Sequence, residues 1–338
     1  MNDARACVRL LREPAAARDL DAGRWSALIT IARSELLLGT LAYRLSGIEL
    51  PGPVQMIMDD AIVNAEYQRR SALWEPACAR RALARFEGKI ILMKGTAYAA
   101  AGLHAAQGRH IGDLDIMVAQ DALARAEDLL LHQGGWEWVK QDTYDDAYYR
   151  NYMHELPPLI HKERDRMIDV HHTILPRTAR PKPDTAAMLA DALEIGGGLS
   201  IFAREDMVCH CAAHLIADGD MTGGLRNLWD MHCLLIEFAQ QDVKFWDRLK
   251  RRAQRHQLWP AAARAARLSA RLYGTPIPHG WTHARWADAL YIRRLLARDG
   301  WGRGSARFTR LLFYIRSHWL RMPPLMLMRH LWTKWRKA

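Results

Sequence analysis

Apolar residues recur at helical spacing over residues 25–45, at Leu28, Ile31, Leu36, Leu37 and Leu41. Pro51-Gly52-Pro53 then breaks the chain, and a long helix is expected from Val54 to about Glu87. Pro76 either kinks that helix or sits in the first turn of a new one starting near Glu75. From Lys89 onward the pattern changes to short apolar runs. Residues 89–93, 113–118, 136–140 and 166–172 read as strands. Between them, residues 97–104 and 120–133 read as helices, the second closed by Gly134-Gly135. Residues 148–152 and 159–161 suggest a long hairpin arm, turning at residues 162–165 into the strand that carries Asp169. From about residue 184 the pattern is helical again, with Gly196-Gly197-Gly198 as a flexible break. No internal repeat is visible. The expected architecture is α+β: a helical region over residues 1–88, a strand-bearing core over 89–175, a second helical region over 176–300, and a tail over 301–338.

Two aspartates one residue apart interrupt the apolar run Asp113-Leu114-Asp115-Ile116-Met117-Val118. Side chains alternate along a strand, so Asp113 and Asp115 project to one face while Leu114 and Ile116 enter a core. Two like charges side by side are unfavourable unless a cation lies between them. Hard oxygen ligands at this spacing suit Mg²⁺, which takes one or two carboxylates and fills its shell with phosphate oxygens and water. Upstream, the run at residues 89–93 leads directly into Lys94-Gly95-Thr96 and an Ala-rich helix. A strand that turns at glycine into a helix presents free N–H groups to an anion. Thr96 is expected to cap that helix and to offer its hydroxyl to a phosphate, with Lys94 adding a point charge. Downstream, Asp169 and His171 share a face of the next strand while Ile168 and Val170 face inward. A third carboxylate on a neighbouring strand would complete a two-ion site. Arg109 is expected either to contact phosphate or to pair with Asp113 or Asp115.

The order strand, Lys-Gly, helix, Arg-x-x-x-Asp-x-Asp, helix, hairpin, Ile-Asp-x-His resembles the polymerase-β-type nucleotidyltransferase superfamily. More narrowly it resembles the bacterial family labelled "uncharacterised nucleotidyltransferase". It is more distantly similar to the nucleotidyltransferase toxins of abortive-infection systems, which share a Lys-Gly-Gly form of the first motif. The matching motifs span residues 89–172, and a looser match continues through His210–His214 and residues 225–230. The superfamily's usual first motif is Gly-Ser, where this chain has Gly95-Thr96 preceded by lysine. The resemblance implies a small mixed sheet with flanking helices, set between the two helical regions. It also implies a Mg²⁺-dependent transfer of a nucleoside monophosphate from a nucleoside triphosphate, ATP being the expected one. The acceptor, whether small molecule, peptide, protein or RNA, is not named by the chain. Asp113 and Asp115 would hold two Mg²⁺ ions, Asp169 would bind the catalytic ion and help deprotonate the acceptor, and Lys94, Gly95 and Thr96 would hold the triphosphate. Alternatives are a toxin-like enzyme that modifies RNA or protein, and a non-catalytic nucleotide-binding or scaffold module.

Composition narrows the setting. The 338 residues are 50% hydrophobic, so the chain is globular and long enough for two cores. The N-terminus lacks a charged–apolar–small pattern, and no uncharged run approaches the ~20 residues of a membrane span. Five scattered cysteines fit reduced thiols in a cytoplasm. His210 and His214 are four apart on a helix, a metal-ligand spacing, but Cys209-x-Cys211 does not match the usual zinc spacing. The helices that carry them are expected to pack beside the nucleotide cleft, with Arg226 and Asp230 forming a pair four apart. The formal charge of +11 is concentrated at the end: residues 301–338 hold nine Lys or Arg and no acid, interleaved with Trp301, Phe308, Phe313, Tyr314, Trp319, Trp332 and Trp335. Pro323-Pro324 splits this tail in two. It is expected either to be plain structure or to meet an anionic membrane surface or an acidic protein partner; its apolar content makes nucleic acid the weaker reading.

Overall fold

The computed structural model describes residues 3–140, 143–283 and 285–322, together with residues 327, 328, 332 and 336. The Pro323-Pro324 break and Trp335 lie outside the described residues. Seven strands form one mixed sheet: β1 (Ile91–Leu92), β2 (Leu114–Met117), β3 (Trp136–Trp138), β4 (Leu159–His161), β5 (Met167–His171), β6 (Leu193–Gly196) and β7 (Leu199–Ile201). Their order is β3-β4-β5-β2-β1-β7-β6. The two strands that bear the aspartates are central and parallel, with Asp115 directly beside Asp169 in the register. β1 runs antiparallel to β2 and pairs with its Met117 and Ile116. One continuous apolar core runs from the N-terminal helices through the sheet to the C-terminal helices. The fold is thus the expected mixed sheet flanked by helices.

Most elements fall where the pattern puts them, with shorter strands. The helix Gly52–Ala82 continues through Pro76, which is buried within it. Preceding Pro76, Glu75 is also buried and takes two bonds from Arg164 of the β4–β5 turn, at 3.1 and 3.2 Å. That ties the long helix to the edge of the sheet.

Two expectations are corrected. Residues 148–152 are no hairpin arm: they end the helix Thr143–Tyr152. Tyr148 and Tyr152 stand one helical turn apart with ring centroids 5.8 Å apart, and Arg150 bonds Asp146 four residues back and Glu127 of the preceding helix. Gly196-Gly197-Gly198 is no break between helices. All three glycines have positive φ, and they turn β6 into β7. β7 then pairs in parallel with β1, so the sheet reaches beyond residue 175.

The helix Arg204–Ala212 is anchored by Asp206, whose carboxylate is fully buried. It accepts bonds from Arg252 Nε and Nη2 and lies 2.8 Å from His256 Nε2. Burial opposes the charge on Asp206, but the His256 and Arg252 bonds outweigh it and hold its carboxyl below the usual range. Asp206→Ala is therefore expected to cost about 3 kcal/mol in denaturant unfolding, the lower end for a broken buried pair, since Arg252 keeps its bond to Asp191. In the wild type the depressed carboxyl contributes stability above about pH 4. That contribution is lost as pH falls further, and acid melts of wild type and variant should converge there.

Candidate active site

β2 and β5 bring the three expected aspartates together. One carboxylate oxygen from each of Asp113, Asp115 and Asp169 lies within 4.8 Å of the others. They differ in setting: Asp113, just before β2, is exposed, Asp115 is buried, and Asp169 is between the two. Asp115 accepts a bond from Lys94 Nζ at 2.5 Å, and its Oδ1 lies 3.0 Å from His171 Nε2. Burial works against ionisation of Asp115, but the Lys94 charge and the His171 bond hold its carboxyl far below the usual range. Lys94 shows the converse. Burial disfavours its charge, and Asp115 more than restores it. Asp169 makes no ion pair among the described residues. Burial and then the nearby charges of Asp115 and Glu155 push its carboxyl up to about 7. Three oxygen donors converging with mutual repulsion, one of them on the exposed side, suit a hard divalent cation.

The Lys-Gly-Thr turn differs from expectation in detail. Lys94 opens the helix Lys94–Ala100 with a left-handed φ of 47°, a costly conformation for a side-chain-bearing residue. The pair with Asp115 helps to hold it there. Thr96 does not cap the helix. It lies buried inside the first turn, and Met93 takes the cap position without a side-chain bond. Gly95 has a steric reason. A Cβ there would overlap the guanidinium of Arg109 and lie 3.1 Å from Ile111.

Arg109 departs from one of its two expected roles, the pairing with Asp113 or Asp115. Its side chain is buried, and Nε lies 3.1 and 3.2 Å from the two oxygens of Asp230. It pairs with neither Asp113 nor Asp115. Arg226, expected to pair with Asp230, stands 3.7 Å from the same carboxylate. Arg109 thus clamps the Asp-x-Asp loop onto the helix Gly224–Gln241. Gly108 serves the same loop: a Cβ there would strike the backbone of Gly39 and Thr40.

Sequence reasoning missed Glu155 and His154. Glu155 forms an isolated bridge with His171 and lies 3.3 Å from His171 Nδ1. Burial raises its carboxyl above the usual range. His154 lies 3.5 Å from Glu155, and its ring stands 5.3 Å from that of His171. Their only forewarning was the pair His154-Glu155 ahead of the Asp169 strand. His210 and His214 lie on the helical wall behind the site; His210 is buried, which pushes its ring well below the usual histidine range, whereas His214 is exposed. The groups of potential metal ligands found among the described residues do not include His210, His214 or the cysteines.

The uncharacterised nucleotidyltransferase family matches residues 21–274, three quarters of the chain. The chain belongs to this family. It is accordingly a nucleotidyltransferase, and its match runs well past the sheet into the C-terminal helices that hold Asp230 and the histidines. No curated protein and no solved structure matches it. No helix among the described residues is long and apolar enough to cross a membrane.

Proposed function

We propose that this nucleotidyltransferase moves a nucleoside monophosphate from a nucleoside triphosphate, ATP foremost, to an acceptor hydroxyl or phosphate, and that Asp113, Asp115 and Asp169 are its catalytic residues. The observation that carries this reading is the convergence of the three carboxylates beside Lys94. Bound Mg²⁺, two ions in the reading favoured here, would neutralise triphosphate charge and lower the pKa of the attacking oxygen. Asp113 and Asp115 would hold both ions and Asp169 the catalytic one. Asp169 would also help to take the acceptor's proton. The acceptor oxygen bonds to the α-phosphorus as the bond to the β-phosphate oxygen breaks, and pyrophosphate leaves. Lys94, with Gly95 and Thr96 in the same turn, would bind the triphosphate. Arg109 acts as a positioning residue through Gly95 and Asp230. Incubating the protein with each labelled nucleoside triphosphate and cell extract tests the reading. Pyrophosphate and a labelled product should appear with Mg²⁺ and vanish with chelator. Nucleotide binding without any product would favour a non-catalytic module.

A second proposal concerns the tail. The helix Arg307–Arg321 packs inward through Thr309, Phe313 and Ser317. Its opposite face exposes Phe308, Leu311, Leu312, Ile315 and Trp319, spaced as one stripe, with Arg307 and Arg310 exposed beside it. We propose that this stripe lies on an anionic membrane surface, which an apolar face flanked by arginines fits. Trp301, 77% exposed, would join it. Deleting the tail would also remove Arg321 from Asp218 and Phe313 from the core, so point variants are the better test. Wild type should sediment with anionic vesicles at low salt and be released at high salt. Phe308→Ser with Ile315→Ser should stay in solution throughout. Equal recovery of both proteins in every condition would end the membrane reading.

A further inference from the structure

His171 is held from both sides. Its Nε2 lies 3.0 Å from the Asp115 carboxylate, which has no proton to give, so Nε2 carries the hydrogen. Nδ1 faces the other side. That atom is buried, the side chain is only 2% exposed, and no hydrogen-bond partner meets it among the described residues. What faces it is another acceptor, Glu155 Oε2 at 3.3 Å, out of line for a hydrogen bond. His154 completes the group: its Nε2 is 3.5 Å from the same Glu155 oxygen, and its own Nδ1 is buried without a partner. One ligating atom from each of the three residues lies within 4.8 Å of the other two. Acceptors do not crowd together without a cation or proton between them.

We propose that His154, Glu155 and His171 bind a divalent transition ion of the zinc class, on the far side of His171 from Asp115. Two imidazoles and one carboxylate suit such an ion and do not suit Mg²⁺, which takes oxygen ligands. Ligands about 2.0–2.1 Å from a tetrahedral ion stand roughly 3.3 Å apart, close to the 3.3 and 3.5 Å from the Glu155 oxygen to His171 Nδ1 and His154 Nε2. The Asp115–His171 contact is the support that metal-bound histidines receive: the second ring N–H is donated to a carboxylate, which fixes the tautomer and the ring plane. The ion would in turn fix His171 and, through it, the orientation of Asp115. This site uses none of the oxygens of Asp113 or Asp169, so it does not depend on what the aspartate triad binds.

The test is a Co²⁺ titration of the metal-stripped full chain in excess Mg²⁺, which occupies any all-carboxylate site. Tetrahedral Co²⁺ absorbs strongly in the visible, whereas six-coordinate Co²⁺ does so weakly. One equivalent should develop these bands, and Zn²⁺ should bleach them. His154→Ala and Glu155→Gln should weaken binding at least about a hundredfold, beyond what loss of a supporting residue costs. Asp113→Asn should leave the bands unchanged. Melting curves establish that each variant is folded, and His154→Gln replaces the alanine variant if that one is not. Absence of the bands in wild type would overturn the proposal. So would bands that persist in both His154→Gln and Glu155→Gln, or that vanish in Asp113→Asn.

Discussion

Asp113→Asn is expected to lower the rate of pyrophosphate release about a thousandfold while leaving the melting temperature close to that of wild type. The rate loss follows from removing one carboxylate from a site whose reaction depends on neutralising triphosphate charge; several kcal/mol of transition-state stabilisation, about 4 here, correspond to three powers of ten. Retained stability follows from the setting of Asp113. It is exposed and makes no hydrogen bond or ion pair among the described residues, and such a substitution usually changes stability by no more than about 0.5 kcal/mol. Asp115→Asn makes the contrast. It too should abolish turnover, but it removes the carboxylate that Lys94 and His171 share, at a cost of about 2 kcal/mol or more. Rate assays and melts on the two variants separate the roles. Equal activity of Asp113→Asn and wild type would remove Asp113 from the chemistry.

The largest stability effect is expected at Arg109. Replacing it with methionine leaves Asp230 buried, with only the more distant Arg226 for company, and should cost about 3–5 kcal/mol in urea unfolding. Asp230→Leu should cost a similar amount. The double variant should recover a substantial part, because two apolar groups of similar volume fill the space without an orphaned charge. Were Arg109 a phosphate ligand, its loss would instead weaken nucleotide binding and leave the melt unchanged. Additive losses in the double variant would show that the pair is not coupled.

The parts of the site that lie within one strand were legible in the chain. Strand alternation alone put Asp113 and Asp115 on one face, and alternation around Asp169 put a third carboxylate on a similar face. What escaped depends on contacts between distant segments. Arg109 and Asp230 are 121 residues apart, and no local pattern announces their pairing. His154 and Glu155 lie outside the named strands, and backbone bonds from their segment to β5 and its end, Leu156 N to Val170 O and His172 N to His154 O, bring them to the site. The glycine run at residues 196–198 resembles a loop when read for helices. Flanked by Leu193, Ile195, Leu199 and Ile201 in alternation, it is a hairpin turn whose second strand finds β1 about 110 residues earlier. The apolar stripe on the Arg307–Arg321 helix was visible as amphipathic sequence, but which face would turn inward was not.

The central claim, that the aspartate triad holds the ions that grip the nucleotide, is tested most directly by a crystal structure with Mn²⁺ and a non-hydrolysable nucleoside triphosphate. The account predicts anomalous density among Asp113, Asp115 and Asp169, with triphosphate oxygens on the ions and Lys94 turned to the phosphates. Triphosphate bound elsewhere, with Lys94 still paired to Asp115 and no ion between the carboxylates, would contradict it.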